Sequence, residues 1–447
     1  MAHRGRLCRL DRLQPNRSVL AVLVALSSVI GGSSIVASSR GPAKADVGDH
    51  SGAFTSAIPP QSDVSPACTN CVIANVPVGS YPSGVTYDTG ARAAYVTNYL
   101  SNNVSVISDS SNSVVDTIPV ASPGGVTYDP ARGEVFVADY DYESGGNVSV
   151  ISDATNKVVA TIPVGDEPRA LAYDPPMGEI FVADQGSGGP VPYGNVSVIS
   201  DTTDRVVATI PVGLGTGALA YDGSNGDIYV ADYNSNQVAV LAPTTNTVLT
   251  TIPVGEGPSG VAYDPADGDV YVTNGGVTNV SVISGNTNKV VTSVGLSPSN
   301  CGPTGLAYDG GNAEIYVALQ CGTRHGPVLD NVSVISGANN TVVATIPVGI
   351  NPTGVAYDNV LGYVYVTNQA TNNTSVIRTP TPTKGTGPAT LFGLPTLVVD
   401  LVLGGILAVA VIAAVALRLR PRRKKVLPIH EAAPPPSAKG DRSGPPG

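Results

Sequence analysis

The sequence predicts an all-β fold: a seven-bladed β-propeller of four-stranded antiparallel blades, plus one C-terminal transmembrane helix. Three observations predict it. The dipeptide Tyr-Asp closes an apolar strand-like segment seven times, and the intervals between the aspartates of these seven pairs are 41, 45, 48, 42, 45 and 49 residues. Each interval holds four short segments rich in Val, Ile, Thr and Tyr, as expected of one propeller blade per repeat. Near the C-terminus, a long apolar stretch precedes a cluster of basic residues.

Residues 1–45 have the pattern of a secretory signal peptide. Five arginines lie within residues 1–18, an apolar stretch starts at Val19, and the small residues at 43–45 suit cleavage. An uncleaved anchor is the alternative, because the apolar stretch nearly reaches the ~20 residues that span a bilayer. Residues 46–70 then form an extracellular lead-in to the repeats.

The fifth repeat illustrates the four predicted strands of a blade, which are GVAYD (260–264), DVYVTN (269–274), NVSVIS (279–284) and VVTSV (290–294). Asp-Pro and Gly between the first two strands favour a tight turn. The aspartates of the seven Tyr-Asp pairs are therefore interpreted as turn residues. A ring of carboxylates is the alternative interpretation.

A proline recurs in the fourth strand of the repeat, and Ser293 is expected at its position in the one repeat without it. Proline has no N–H for a sheet, so it is tolerated on an edge strand. The fourth strand of a propeller blade is the outer edge, where proline also hinders pairing with other molecules. The prolines are Pro77, Pro119, Pro163, Pro211, Pro253 and Pro347.

The two ends of the repeat region predict how the ring closes. The last repeat has only three strands, whereas an additional fourth strand precedes the first Tyr-Asp pair. We expect residues 72–78 to pair with residues 373–378. Residues 71–378 would then form seven complete blades.

The C-terminal part predicts a membrane anchor. A Pro/Thr/Gly linker at 379–390 leads to a transmembrane helix at 391–417, whose segment Leu397–Leu417 is apolar except for Asp400. A buried soluble helix is the alternative. Basic residues start the disordered tail at 418–447 and orient it to the cytoplasm. They are Arg418, Arg420, Arg422, Arg423, Lys424 and Lys425.

Several tetrapeptides give the repeat a family resemblance. YVTN occurs at 95–98, 271–274 and 365–368, alongside recurring NVSVIS and TIPVG segments. Over residues 71–378 the chain resembles the YVTN family of β-propeller repeats, which is found in prokaryotic secreted and cell-surface proteins, including archaeal surface-layer-type proteins. The resemblance implies a propeller at the cell surface, but no particular activity.

Charge and geometry favour a binding role at the outward face. Residues 46–417 contain 9 basic and 31 acidic residues, a net charge of −22, which disfavours nucleic acid as a partner. The linker would leave the bottom of the ring, so the bottom faces the membrane and the top faces outward. Three long top loops precede Asn147, Asn195 and Asn331; drift of surface loops is the alternative explanation.

We therefore expect a single-pass cell-membrane protein with an extracellular propeller and a cytoplasmic C-terminus. Its partners would be membrane lipid, through the C-terminal helix, and an extracellular protein or glycan, through the top loops. The function is a binding or cell-envelope structural module. An extracellular, lactonase-like and metal-dependent hydrolase is the alternative, which clustered acids in the channel would favour and a Gly/Val lining would disfavour.

Four cysteines predict two disulfides in an oxidising compartment. Cys301 and Cys321 fall in neighbouring top loops of one blade. Cys68 and Cys71 lie at the opposite face and are expected to pair with each other. A redox-active or metal-binding CxxC is the alternative for the second pair.

Few residues suggest catalysis or metal binding. The predicted ectodomain has two histidines, His50 and His325, so no catalytic set is assigned. Asp139, Asp141 and Glu143 resemble part of a calcium loop without its full ligand spacing. The sequence thus predicts no cofactor, with calcium as the alternative.

N-x-S sequences recur at the start of the third strand and are candidates for N-glycosylation. The alternative is that asparagine merely starts a strand whose third residue is serine. The candidates are Asn103, Asn147, Asn195, Asn279 and Asn331, with further matches at Asn339, Asn372 and Asn373.

Overall fold

A computed structural model describes residues 68–140, 145–186, 194–213, 215–322, 330–381, 390–391 and 394–395. The predicted signal peptide, nearly all of the lead-in, most of the linker and the tail lie outside these residues. So does the predicted membrane helix, apart from three residues of its first five. Within the described residues, no helix has the length and apolarity needed to cross a membrane.

Seven antiparallel sheets of four strands each form the seven blades of the propeller. From inner to outer strand, the blades are β2 (Pro82–Asp88), β3 (Ala93–Asn98), β4 (Asn103–Ser108), β5 (Ser113–Pro119); β6 (Pro123–Asp129), β7 (Glu134–Asp139), β8 (Asn147–Ser152), β9 (Lys157–Pro163); β10 (Pro168–Asp174), β11 (Glu179–Asp184), β12 (Gly194–Ser200), β13 (Arg205–Gly213); β14 (Thr216–Tyr221), β15 (Ile228–Asp232), β16 (Gln237–Ala242), β17 (Thr247–Pro253); β18 (Pro258–Asp264), β19 (Asp269–Asn274), β20 (Asn279–Ser284), β21 (Lys289–Gly295); β22 (Gly302–Asp309), β23 (Glu314–Gln320), β24 (Asn331–Ser336), β25 (Thr341–Pro347); and β26 (Pro352–Asp358), β27 (Tyr363–Asn368), β28 (Asn373–Arg378), β1 (Cys71–Pro77). Two further two-residue strands, β29 (Thr390–Leu391) and β30 (Leu394–Pro395), pair with each other.

The seventh blade is built from both ends of the propeller. β1 pairs antiparallel with β28, from Cys71 opposite Arg378 to Pro77 opposite Asn373. This is the pairing that the sequence predicts for residues 72–78 and 373–378. It completes the last blade and closes the ring with ladder hydrogen bonds.

The hydrophobic core lies between neighbouring blades. The second and third strands alternate apolar side chains on both faces, and most of these side chains are fully buried. Tyr95 and Val106 of the first blade, for example, pack against Val135 and Val137 of the second. Each face of a blade is covered by the neighbouring blade on that side. The core is therefore buried only when the blades are assembled into the ring.

The outer strands have two features that protect a sheet edge. Five of the six predicted prolines end an outer strand, as in Pro119 opposite Asn103, and the sixth, Pro211, lies two residues before the end of β13. Each outer strand also has a register shift, as at Val106/Ile107 in the first blade. A bulge and a terminal proline both discourage another strand from pairing.

One predicted equivalence is wrong. In the fifth blade, Asn279 lies opposite Gly295, whereas Ser293 lies opposite Ser281. Gly295 therefore occupies the proline position, and Ser293 matches the threonine two residues before it. The end of this outer strand therefore lacks the restriction that a proline side chain places on the backbone.

The top face carries the loops from a fourth to the next first strand and from a second to a third strand; the bottom face carries the other turns. Both ends of the ring lie at the bottom. The Asn70 N–H donates to the Arg378 carbonyl (2.9 Å), and Asn312 Nδ2, in a bottom turn, donates to the Pro380 carbonyl (2.8 Å).

Tyrosine–asparagine hydrogen bonds tie neighbouring blades together below the core. Tyr229 Oη donates to Asn288 Oδ1 of the next blade at 2.6 Å, and Tyr316 Oη donates to Asn70 Oδ1 at 2.7 Å. Each acceptor asparagine occupies the left-handed region in the turn before an outer strand, for example Asn288 at φ 53°. Asparagine tolerates this conformation better than most residues. One side chain thus shapes the turn and fastens the ring.

Candidate functional site

The first strands of the blades line the central channel, and each has the same three consecutive positions at or one residue after its start. The first position is proline in six blades and threonine in one. The second position holds Ser83, Gly124, Arg169, Gly217, Ser259, Thr304 and Thr353. The third position holds Gly84, Gly125, Ala170, Ala218, Gly260, Gly305 and Gly354.

Glycine at the third position allows close approach of the inner strands. A Cβ on Gly305 would lie 2.1 Å from the carbonyl oxygen of Thr353 in the next blade, and one on Gly125 would lie 2.3 Å from that of Arg169. No Cβ fits at such distances without a backbone shift. Glycine at these two positions therefore lets the inner strands of neighbouring blades approach this closely.

The threonine of the YVTN tetrapeptide joins adjacent blades around this channel. The Thr97 hydroxyl accepts a hydrogen bond from the Gly84 N–H (2.8 Å) and donates to the Gly124 carbonyl of the next blade (2.6 Å). Thr273 donates in the same way to the Thr304 carbonyl at 2.6 Å. The threonine of this tetrapeptide thus stabilises the ring.

The upper channel is a cavity of about 700 Å³ that opens at the top face. Its described lining is mostly the Gly, Val, Leu, Ser and Thr residues of the first strands. Arg169 is the one charged residue among these lining residues. A cavity of this size lies within the usual range of small-ligand sites.

Aromatic side chains form an arc along one side of the cavity mouth, over blades one to three. The rings of Tyr81 and Tyr99 are 6.2 Å apart, and those of Tyr99 and Tyr140 are 6.1 Å apart. The Arg169 guanidinium lies 4.9 Å from the centre of the Tyr140 ring and donates to its Oη at 3.1 Å. We call these four residues the mouth arc.

Sequence reasoning did not find the mouth arc. The long top loop before Asn147 is singled out by its length and contains Tyr140, but Tyr81 and Tyr99 lie in short top loops and Arg169 lies at the start of a channel strand. The available signal was departure from the repeat, because Arg169 stands where the other blades have Gly, Ser or Thr.

Two buried carboxyl groups lie near the top ends of the second strands. Asp139 Oδ2 accepts a hydrogen bond from Ser149 (2.7 Å), and Asp184 Oδ2 accepts one from Ser197 (2.6 Å). Burial raises the pKa of each carboxyl to about 7, partly offset by these serine hydrogen bonds. Both groups therefore change charge near neutral pH.

Of the three predicted calcium ligands, the structure describes one, Asp139. Asp139 is only 7% exposed and is engaged by Ser149. Asp141 and Glu143 lie outside the described residues. Among the residues that are described, no group of three or more His, Cys, Asp or Glu side chains is arranged to hold a metal ion.

The aspartates of the Tyr-Asp pairs lie at the bottom of the channel and shape turns. Asp88 Oδ1 accepts from the Gly90 and Ala91 N–H groups at 2.7 and 2.9 Å. Asp264 Oδ1 accepts from the Ala266 N–H at 2.8 Å. Burial raises the pKa of both carboxyls. The turn interpretation of these residues thus has direct geometric support.

The candidate glycosylation residues lie in side-chain ladders at the top ends of the strands. Asn103 Oδ1 accepts from Asn98 Nδ2 (2.8 Å), and Asn279 Oδ1 accepts from Asn274 Nδ2 (2.6 Å). Asn331 is only 5% exposed. Asn147 and Asn195 are half-buried at the same position. Glycan occupancy stays a prediction, but this geometry favours a structural role.

Both disulfides are present. Cys301–Cys321 joins two buried top-face residues that flank strands β22 and β23. Cys68–Cys71 closes a short loop at the bottom, where the chain enters β1. Each bond occupies the face expected from the order of the strands.

The fold and the repeats define the class of this chain, which is a β-propeller repeat protein. The NHL repeat family matches residues 218–241, within the fourth blade. No curated protein sequence matches the chain. Hydrazine synthase of Kuenenia stuttgartiensis is similar in structure, with a TM-score of 0.59 and 18% identity over 67% of this chain and 96% of that chain. At this identity, the similarity shows the fold alone.

Proposed function

We propose that this protein is a membrane-anchored extracellular module that binds a partner, or a component of the cell envelope, through its top face. The observation that carries the proposal is the mouth of the channel, which is concave and bordered by tyrosines. Concave sites with aromatic walls and few polar groups are typical of ligand binding.

The positions of the chain ends support this orientation. Asn70 and Pro380 both lie at the bottom of the ring. An anchor that follows the linker would hold the bottom towards the membrane and leave the mouth free. The YVTN resemblance supports the same cell-surface location.

The lining of the channel favours binding over the alternative of a hydrolase. A propeller hydrolase needs acids, histidines or a metal cluster that converge on its substrate. Here the described lining consists mainly of Gly, Val, Leu, Ser and Thr, with Arg169 as its one charged residue. A binding module needs only shape and a few polar contacts.

Site-specific photocrosslinking on intact cells tests the proposal. A photoreactive amino acid replaces Tyr233 in a top loop, and the matched control replaces Asn339 in a bottom turn; both residues are exposed in the full chain. We expect a discrete crosslinked product from position 233 and none from position 339. Products from position 339 alone, or from neither, would contradict the proposal.

A further inference from the structure

The sevenfold repeat supplies an internal control for the channel mouth. A residue needed only for the fold recurs in every blade, whereas a residue that departs from the repeat needs another explanation. At the second channel position, six blades have Gly, Ser or Thr, and only the third blade has a long charged side chain, Arg169.

A second departure lies beside it. The residue before the first strand has positive φ in six blades, and five of these are small or polar: Ser122, Glu167, Gly215, Gly257 and Asn351. The sixth is Tyr81 at φ 59°. An aromatic residue is strained in this region, and such strain clusters at functional sites. Tyr81 is also 41% exposed, so core packing does not explain it.

The top ends of the second strands carry a tyrosine or glutamine in six of the seven blades, and Tyr99, Tyr140 and Gln369 among them line the cavity. The residues at this position are Tyr99, Tyr140, Gln185, Tyr233, Gly275, Gln320 and Gln369; Gln320 is the last residue of β23, and each of the others directly follows its second strand. Tyrosine faces are electron-rich and attract the polarised C–H groups of a sugar ring. Amides supply both donors and acceptors, which match sugar hydroxyls.

The charged member of the arc selects a carboxylate. Among the described residues, Arg169 has one hydrogen bond, to Tyr140, and its exposed guanidinium carries further N–H donors. Packing against the Tyr140 ring limits its motion. Guanidinium groups bind carboxylates through paired, charge-assisted hydrogen bonds.

The geometry points to a carboxylated sugar, such as a uronic-acid residue of an extracellular polysaccharide, as the ligand of the mouth arc. The tyrosines stack on the sugar ring and Arg169 binds its carboxylate. This inference rests on the binding role proposed for the top face and names the chemistry of its ligand.

Other ligand classes fit the same residues less well. Polyphosphates and nucleic acids need several cations, but the described cavity lining has one, in a region of net charge −22. A cationic ligand would meet Arg169, which already occupies the face of Tyr140.

Saturation-transfer NMR on the full-length protein in detergent tests the inference. The probes are trimers of galacturonic, glucuronic and mannuronic acid, each compared with its neutral counterpart. We expect at least one acidic trimer to bind roughly tenfold or more tightly than its neutral form, because the arginine–carboxylate bond is lost with the charge. Absence of binding by all three acidic trimers would overturn the inference.

Variants assign the binding to the arc. Arg169→Gln should lower the affinity for the acidic trimer roughly tenfold. Tyr99→Ser should lower it as well, whereas Tyr99→Phe keeps the ring and the affinity. Arg205→Gln, the same charge change on an exposed outer strand, is the matched control.

The outcomes are distinguishable from failure of the proposed function. Unchanged binding in both Arg169→Gln and Tyr99→Ser would place the sugar elsewhere and refute the arc as its site. If crosslinking at Tyr233 succeeds while no acidic trimer binds, only the ligand class is wrong. Melting curves confirm that each variant is folded.

Discussion

Replacing Asp184 with asparagine should remove a pH-dependent loss of stability. Asp184 is 1% exposed, and its Oδ1 has no hydrogen-bond partner among the described residues. Burial raises its pKa to about 7, against about 3.9 in an unfolded chain. Between these values the folded protein retains a proton that the unfolded chain has lost. Stability therefore falls as the pH rises through this window and stays low above it.

The magnitude follows from the pKa difference. Linkage over this window gives a loss of about 3 kcal/mol from this carboxyl between pH 5 and pH 8. Asparagine does not ionise, so the Asp184→Asn variant should not show this loss. The difference in unfolding free energy between the variant and the unmodified protein should therefore be about 3 kcal/mol more favourable to the variant at pH 8 than at pH 5. The other buried carboxyls contribute equally to both proteins and cancel.

The repeat shows that asparagine fits at this position. Asn98 and Asn368 occupy it in the first and seventh blades, and their Nδ2 groups donate to Ser105 and Ser375 at 2.9 and 3.0 Å. In the variant, the Ser197 hydroxyl would accept a hydrogen bond instead of donating one. The substitution should therefore not introduce strain.

Guanidinium unfolding of the full chain, followed by tyrosine fluorescence at pH 5 and pH 8, measures this effect. Asp116→Asn, the same charge change on an exposed outer strand, is the control. It should change the unfolding free energy by the same amount at pH 5 and at pH 8. If the Asp184→Asn protein and the unmodified protein lose the same stability between the two pH values, the buried-carboxyl argument is refuted.

Three further predictions concern the ring and its surface. Phe181→Tyr should raise stability by about 1 kcal/mol in thermal melts, because Phe181 stands where Tyr229 stands in the next blade. Its new hydroxyl would reach Asn246 Oδ1, which has no hydrogen-bond partner among the residues that the structure describes, and unchanged or lower stability would contradict this. Gly305→Ala should destabilise the protein by about 1–3 kcal/mol, because the added Cβ meets the backbone of the next blade. Gly295→Ala is the control and should be neutral, because its Cβ would lie in open space. Equal effects of the two substitutions would argue against the close approach of the inner strands. Mass spectrometry of the native protein should find the peptide with Asn331 unmodified, because this side chain is 5% exposed; a glycan there would show that the loop opens.

The architecture could be predicted because each blade is encoded by one copy of a sequence repeat. The Tyr-Asp period fixed the number of blades, and the unpaired strand before Tyr87 indicated how the ring closes. The prolines placed the outer edge, since proline has a strict backbone requirement. Each of these signals is local in sequence and recurs in several repeats, so it does not arise from a random sequence.

The site could not be predicted in the same way because it depends on contacts between blades. Nothing near Gly305 indicates that a carbonyl of the next blade lies against it. Tyr81 and Arg169 are far apart in the sequence, and only the closed ring brings them to one mouth. The misplacement of Ser293 had a simpler cause, because without a proline the outer strand offers no marker of register.

The central claim is that the membrane side and the ligand side are opposite faces of one ring. Energy transfer from a fluorophore at position 339 or 233 to acceptor lipids tests it in liposomes that contain the full-length protein. The strands separate the two faces by about 20 Å. We expect much stronger transfer from position 339 than from position 233. Equal or reversed transfer would mean that the channel mouth does not face away from the membrane.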